Sequence, residues 1–237
     1  GGLVIDGACD VDFYDGGDFL ADGPRRIPLY CATRPLYEQL VRRRVADHDG
    51  VDLRPGCRSV DYLTDDAATT VDGVVVDREA STREELPADL VVDATGRTSR
   101  TPAWLDEHGY ASPSVDEVHI DLSYSTAFFR RPDGDRRSFV VQPSPPHTRG
   151  GAVLPVEDGR WLVTLFGFHG DRPPTDAEGF AEFAASLPVP HPKRIVDGHA
   201  RTSEGIVHYP FPSEVRRRYE ALDRFPAGLV VVGDAIA

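Results

Sequence analysis

The chain has 237 residues, 40% of them hydrophobic and 27% charged, and a formal net charge of −13, enough length for one large domain or two intertwined ones with a buried core. So acidic a surface repels nucleic acid and anionic membrane, which removes both as expected partners, and the longest apolar runs, residues 90–92 and 229–232, are strand-sized with no membrane span. Cys9, Cys31 and Cys57 are odd in number, irregularly spaced and unaccompanied by a histidine cluster, which predicts buried free thiols in a reducing, cytoplasmic setting and no metal site.

In chain order, residues 3–5 and 10–14 read as short strands, followed by a turn at Asp15-Gly16-Gly17. Residues 33–45 form the clearest helix, with Pro35 near its start, Leu36, Leu40, Val41 and Val45 on one face and Arg42, Arg43 and Arg44 on a solvated one. Next come a short strand at 51–53, an antiparallel pair at 56–63 and 71–76 around Asp65-Asp66, a polar loop over 78–85 and a buried strand at 90–93. That order suggests a nucleotide-type sheet with an inserted meander. Alternating segments at 118–129, 138–142, 151–156 and 161–168 then predict an antiparallel sheet with one covered face. A helix follows at 176–186, with Phe180, Phe183 and Ala184 on one side, and prolines make 188–192 a loop. The chain finishes with a short strand at 206–211, a helix at 213–222 with Val215, Tyr219 and Leu222 on one face, a turn at 226–228 and an apolar strand. It contains no methionine, opens on Gly1-Gly2 and stops within a motif, so it is expected to be a fragment.

Two strands end alike, in Val91-Val92-Asp93-Ala94-Thr95-Gly96 and in Val231-Val232-Gly233-Asp234-Ala235. In open α/β sheets, ligands sit in the crevice at strand C-termini. The small residues after Asp93 let backbone approach a ligand, and Thr95, Thr98 and Ser99 offer hydroxyls; the same text also describes a tight turn in which Asp93 caps nearby amides. Asp234 can accept hydrogen bonds from sugar or polyol hydroxyls, or act as an N-cap.

Taken in order, Arg34 at a helix start with Leu36 and Leu40 behind it, a strand ending Asp93-Ala-Thr-Gly-Arg-Thr-Ser-Arg100, a long β insertion and then Phe225-Pro-Ala-Gly-Leu-Val-Val-Val-Gly-Asp-Ala235 form a pattern. It resembles the FAD-dependent monooxygenases, the group of aromatic-ring hydroxylases and of the 2-polyprenyl-6-methoxyphenol hydroxylase type. The resemblance implies a mixed α/β (α+β) fold: an incomplete FAD-binding Rossmann-like domain with an inserted antiparallel β-sheet substrate domain. Residues 1–30 would be strands of the substrate domain, 31–109 part of the FAD-binding domain, 110–212 the substrate domain and 213–237 the return to the FAD-binding domain.

The same resemblance implies an FAD-dependent oxidoreductase, a monooxygenase that hydroxylates an aromatic or other hydrophobic small molecule through a flavin hydroperoxide, with NAD(P)H as a candidate electron donor. Arg34 would lie near the flavin and its diphosphate. Asp93 and Gly96 match a second motif that links FAD binding to pyridine-nucleotide use, and Gly233 and Asp234 match a third, whose aspartate binds the ribityl chain. The β insertion would supply the substrate pocket, with Tyr124, Phe128, Phe139, Phe166, Phe168, His169 and His208 as lining. No catalytic side chain is singled out, because the flavin carries the redox chemistry.

The chain departs from the pattern in three places. It has Asp-Ala-Thr-Gly where Asp-Gly is usual, which bears on NAD(P)H recognition more than on FAD. It lacks the first motif, GxGxxG between strand and helix, and it lacks the proline and helix after Gly-Asp-Ala, as expected of a fragment without its N-terminal unit and C-terminal end. Geranylgeranyl-type reductases carry Tyr-x-Trp-x-Phe-Pro, but His208-Tyr-Pro-Phe-Pro212 has no tryptophan; halogenases carry Trp-x-Trp-x-Ile-Pro, but Trp104 and Trp161 are far apart. A non-catalytic fragment that retains no FAD is the alternative from another class, while a central antiparallel sheet argues against an NAD-only dehydrogenase.

Overall fold

The computed structural model describes residues 2–23, 26–78 and 82–237. In chain order the strands are β1 (Leu3–Asp6), β2 (Val11–Asp15), β3 (Asp18–Phe19), β4 (Pro28–Cys31), β5 (Cys57–Thr64), β6 (Val71–Arg78), β7 (Thr82–Pro87), β8 (Val91–Asp93), β9 (Ser114–Arg130), β10 (Ser138–Val141), β11 (Arg149–Val156), β12 (Arg160–Gly167), β13 (Val207–Arg218) and β14 (Leu229–Val231). The α-helices are α1 (Arg34–Ala46), α2 (Thr101–Glu107), α3 (Ala177–Ala185) and α4 (His191–Gly198). The chain divides into two units, residues 1–49 with 119–213 and residues 50–118 with 214–237. It crosses between them after residues 49, 118 and 213, where the sequence suggested boundaries after 30, 109 and 212.

The first unit is organised on a seven-stranded sheet in the order β13-β9-β12-β11-β10-β2-β3. Its centre is antiparallel, while β2 joins β10 in parallel, Val11 opposite Ser138. Side chains alternate across a strand, so Trp161, Val163 and Leu165 of β12 point to one face and are fully buried. There they form one core with Ala127, Phe129, Phe139, Phe180, Phe183 and Ile195, the last three from α3 and α4; each large side chain so buried contributes about 1.5–3 kcal/mol. Asp176 caps α3 by accepting from Gly179 N at 2.8 Å.

Several elements differ from the sequence reading. Val51–Leu53 is exposed chain with no strand. The polar loop is instead a third meander strand, β7, paired along β6 from Thr82 to Pro87; residues 79–81 of that loop lie outside the described residues. The proline loop ends early, because α4 starts at His191 with Pro192 in its first turn, a position where the missing N–H costs nothing. The expected helix over 213–222 is the second half of β13, followed by a 3₁₀ turn, Tyr219–Ala221. Along β13 Phe211, Ser213, Val215 and Arg217 are more buried than Pro212, Glu214 and Arg216 between them, a period of two that the polar members disguise. Of the three thiols only Cys31 is buried, while Cys9 is exposed and Cys57 half-buried. Finally, α1 forms where expected but buries none of its residues: Leu40 and Val41 are 48% and 59% exposed. Its start is held by polar contacts, because Thr33 caps it and Glu157 accepts from both Thr33 N, at 2.9 Å, and Thr33 Oγ1.

The second unit contains the antiparallel meander β5-β6-β7 and a parallel pair, β8 and β14. Val91, Val92 and Asp93 stand opposite Leu229, Val230 and Val231. One face of the pair packs with Val71, Trp104 and Leu105 into a second core. The other face presents Val92 and Val230, 51% and 42% exposed, so the two strands are not buried on both sides as their apolar text suggested. No helix among the described residues is long and apolar enough to cross a membrane.

Candidate functional site

The parallel pairing of β8 and β14 brings their C-terminal ends together. Past the last register pair, Val232 N donates to Asp93 O at 2.9 Å, and each strand then turns into a 3₁₀ segment, Gly96–Thr98 on one side and Gly233–Ala235 on the other. Asp93, Gly96, Gly233 and Asp234, widely separated in sequence, thus converge in one place. Gly96 and Gly233 hold φ of +83° and +60°, the left-handed region that favours glycine. A Cβ at either would meet nothing within 4 Å, so both turns expose bare backbone to open space.

The two carboxylates are in different situations. Asp93 is 4% exposed and its own loop saturates it: Oδ1 accepts from Thr95 N at 2.9 Å and Thr95 Oγ1 at 2.6 Å, and Oδ2 from Ser99 Oγ and Thr101 Oγ1, both at 2.5 Å. Burial works against its ionisation, but the donors from Ser99, Thr101 and Thr95 outweigh it and hold the carboxyl below its ordinary value. Asp93 therefore shapes the turn. Asp234 is exposed and makes no side-chain hydrogen bond among the described residues, which leaves both oxygens open to a ligand.

Beside the Asp93 loop lies a cavity of about 600 Å³, walled by β5 through Arg58, Ser59 and Tyr62, by the loop through Asp93, Thr95 and Thr98, and by α2 through Trp104 and Glu107, with Arg100 between. Its wall mixes guanidinium, hydroxyl and aromatic groups. Tyr62 Oη stands 2.7 Å from Thr101 Oγ1, and burial pushes its phenol up to about 12. Trp104 stacks on His108 at 4.2 Å, and its buried Nε1 has no hydrogen-bond partner among the described residues.

The remaining predicted residues lie in the first unit. Arg34 opens α1 next to its cap. Tyr124 and Phe166 are cross-strand neighbours with rings 6.0 Å apart, and Phe168 and His169 continue the series at 6.3 Å steps. Tyr124, Phe128 and Phe166 belong to the half-buried sides of their strands, opposite the side that α3 and α4 cover. His208 is exposed, with Nδ1 3.2 Å from Ser125 Oγ. Phe139 differs from expectation: it is 3% exposed and part of the helix-covered core. Sequence reasoning missed Tyr62, Thr101, Arg58 and Arg100. Only the run of hydroxyls from Thr95 to Thr101 signalled that the Asp93 loop would fold in on its carboxylate.

No protein-family model matches the chain. It is 35% identical over 227 residues to Protein Rv3254 of Mycobacterium tuberculosis, a match that covers 90% of this chain and 46% of that protein. The chain thus spans about half the length of the curated relative it matches. Among solved structures it is similar to PqsL of Pseudomonas aeruginosa, described as a probable FAD-dependent monooxygenase, with a TM-score of 0.69 at 15% identity over 100% of this chain and 62% of that one. The flavin-dependent brominase Bmp2 aligns with a TM-score of 0.69 at 15% identity, over 98% and 56% of the two chains. The myxobacterial chondrochloren halogenase CndH aligns with a TM-score of 0.55 at 16% identity, over 100% and 52%. At these identities the likeness establishes a shared fold: the mixed α/β architecture is that of flavin-dependent monooxygenases and halogenases.

Proposed function

We propose that this chain is part of an FAD-dependent oxidoreductase, a monooxygenase that acts on an aromatic or other hydrophobic small molecule. The observation that carries the reading is the convergence of two glycine turns at the ends of parallel strands β8 and β14, with an open carboxylate, Asp234, on one of them. The residues fit such a cofactor. The open space at Gly96 and Gly233 admits a ligand against bare backbone, and an exposed carboxylate suits the hydroxyls of a ribityl chain. The shared fold with flavin-dependent enzymes supports the same assignment.

In this reading the second unit binds the cofactor and the sheet of the first unit receives the substrate. Asp234 accepts hydrogen bonds from the ribityl hydroxyls. Gly96 and Gly233 bring main chain to the cofactor, and Asp93 acts through its loop by holding Thr95, Ser99 and Thr101 in place. Tyr124, Phe166 and Phe168, with His169 and His208 at the margin, offer an apolar wall against which an aromatic substrate packs and from which water is excluded. When bound, FAD supplies the electron transfer and oxygen activation that no side chain provides; NAD(P)H is the proposed reductant.

A second reading, halogenation, rests on the fold shared with Bmp2 and CndH. The two separate on one assay: product analysis with an aromatic substrate, reductant and oxygen, with and without bromide. The binding assignment is tested by Asp234→Ala in the full-length gene product. Loss of flavin content and at least a tenfold weaker FAD affinity are expected; unchanged values would remove Asp234 from the site.

A further inference from the structure

Arg217 hydrogen-bonds to both turns. Its Nη2 donates to Arg97 O at 3.2 Å, inside the turn Gly96–Thr98, while Nη1 donates to Ala235 O at 3.4 Å, in the turn Gly233–Ala235. Its backbone N–H also donates to Ile236 O at 2.6 Å. The β8–β14 ladder ends at Asp93 and Val231, with a final bond from Val232 N to Asp93 O. Beyond that point, among the described residues, the side-chain hydrogen bonds that reach both turns come from this guanidinium.

The chemistry suits a clamp. A guanidinium is a planar fork that stays charged, so its bonds to carbonyls are charge-assisted and directional, and it can hold acceptors from two directions at once. Both turns leave carbonyls that their short 3₁₀ hydrogen bonding does not satisfy. Holding Arg97 O also fixes the Arg97–Thr98 peptide plane. The N–H of that trans peptide belongs to Thr98 and points away from the guanidinium, and Thr98 is a wall residue of the cavity beside Asp93.

We propose that Arg217 is a positioning residue that couples the Asp93–Gly96 turn to the Gly233–Asp234 turn, so that both close on one bound ligand in a fixed relation. The ligand assignment rests on the FAD reading above; the coupling does not. Two measurements on the full-length gene product separate them. In hydrogen exchange without added ligand, Arg217→Gln is expected to speed exchange in both residues 94–99 and residues 232–236. Acceleration confined to the second segment, or absent, overturns the coupling whether or not flavin binds.

In FAD titrations, Arg217→Gln is expected to weaken binding at least tenfold and to alter the visible absorption of the bound flavin. Arg217→Lys should recover part of the affinity, and millimolar guanidinium should tighten binding by Arg217→Ala without affecting the wild type. As a control, Tyr110→Phe removes the bond to Ala68 O and disturbs the same unit away from the turns. If Arg217→Gln weakened FAD no more than this control, with a wild-type flavin spectrum and no rescue by guanidinium, the positioning role would be wrong. If the wild type bound no FAD at all, the ligand assignment would fail, and the exchange result alone would decide the coupling.

Discussion

Thr101 donates its hydroxyl proton to Asp93 at 2.5 Å, and neither residue is more than 4% exposed. A hydroxyl has one proton to give, so at the 2.7 Å contact with Thr101 the donor is Tyr62. A directed chain therefore runs from Tyr62 through Thr101 to the carboxylate and ties β5, α2 and β8 into one wall of the candidate site.

Thr101→Val keeps the shape of this side chain and removes both bonds. It leaves a buried carboxylate short of a donor and Tyr62 short of an acceptor, which costs about 1–3 kcal/mol. A lowered urea midpoint with an unchanged slope is the expected result. An unchanged midpoint would mean that the Asp93 network contributes nothing to the stability of the fold.

The same network fixes the direction of two pH effects. The Asp93 carboxyl is held below its ordinary value near 3.8, so its stabilisation is complete above that pH and is lost as pH falls through the lower folded value. Tyr62 is raised from 10 to about 12. Its contribution is complete below pH 10 and is lost as pH rises toward 12, because the unfolded phenol ionises first. Asp93→Asn should flatten the acid limb of a stability profile, and Tyr62→Phe the alkaline limb between pH 10 and 12. Equal slopes in variant and wild type would contradict the assignment.

Much of this arrangement was legible in the residues. The strand ends at Asp93 and Gly233 follow from apolar runs that break into glycine, and β10, β11 and β12 follow from alternation over a covered face. What was illegible depended on partners far along the chain. Val215, Tyr219 and Leu222 satisfy a helical period as well as Phe211, Ser213 and Val215 satisfy a strand period, and the neighbouring β9 decides between them. Arg217 was hidden for the same reason, since an arginine on a presumed helix reads as solvated. Asp93 and Asp234 look alike as text, and only the fold distinguishes a carboxylate closed in by its own hydroxyls from one left open.

Glu157 is the corresponding buried anchor of the first unit. It is 8% exposed, accepts from Thr33 N and Thr33 Oγ1, and pairs with Arg160 at 3.3 Å. Because α1 buries none of its own side chains, this contact should dominate its attachment. Glu157→Gln replaces an acceptor with an amide that cannot take both donors and is expected to cost about 1–3 kcal/mol, with faster hydrogen exchange over residues 36–46. Wild-type exchange across that span would show that α1 is held by something else.

The central claim is that the two converging turns belong to an FAD site. The most direct measurement is equilibrium titration of the flavin-stripped full-length gene product with FAD, followed by flavin fluorescence and by bound flavin per chain after desalting. One FAD per chain, with a Kd in the micromolar range or tighter and a loss of affinity on Asp234→Ala, is the predicted result. A protein that binds no FAD, or that binds it equally well without the Asp234 carboxylate, would contradict the account.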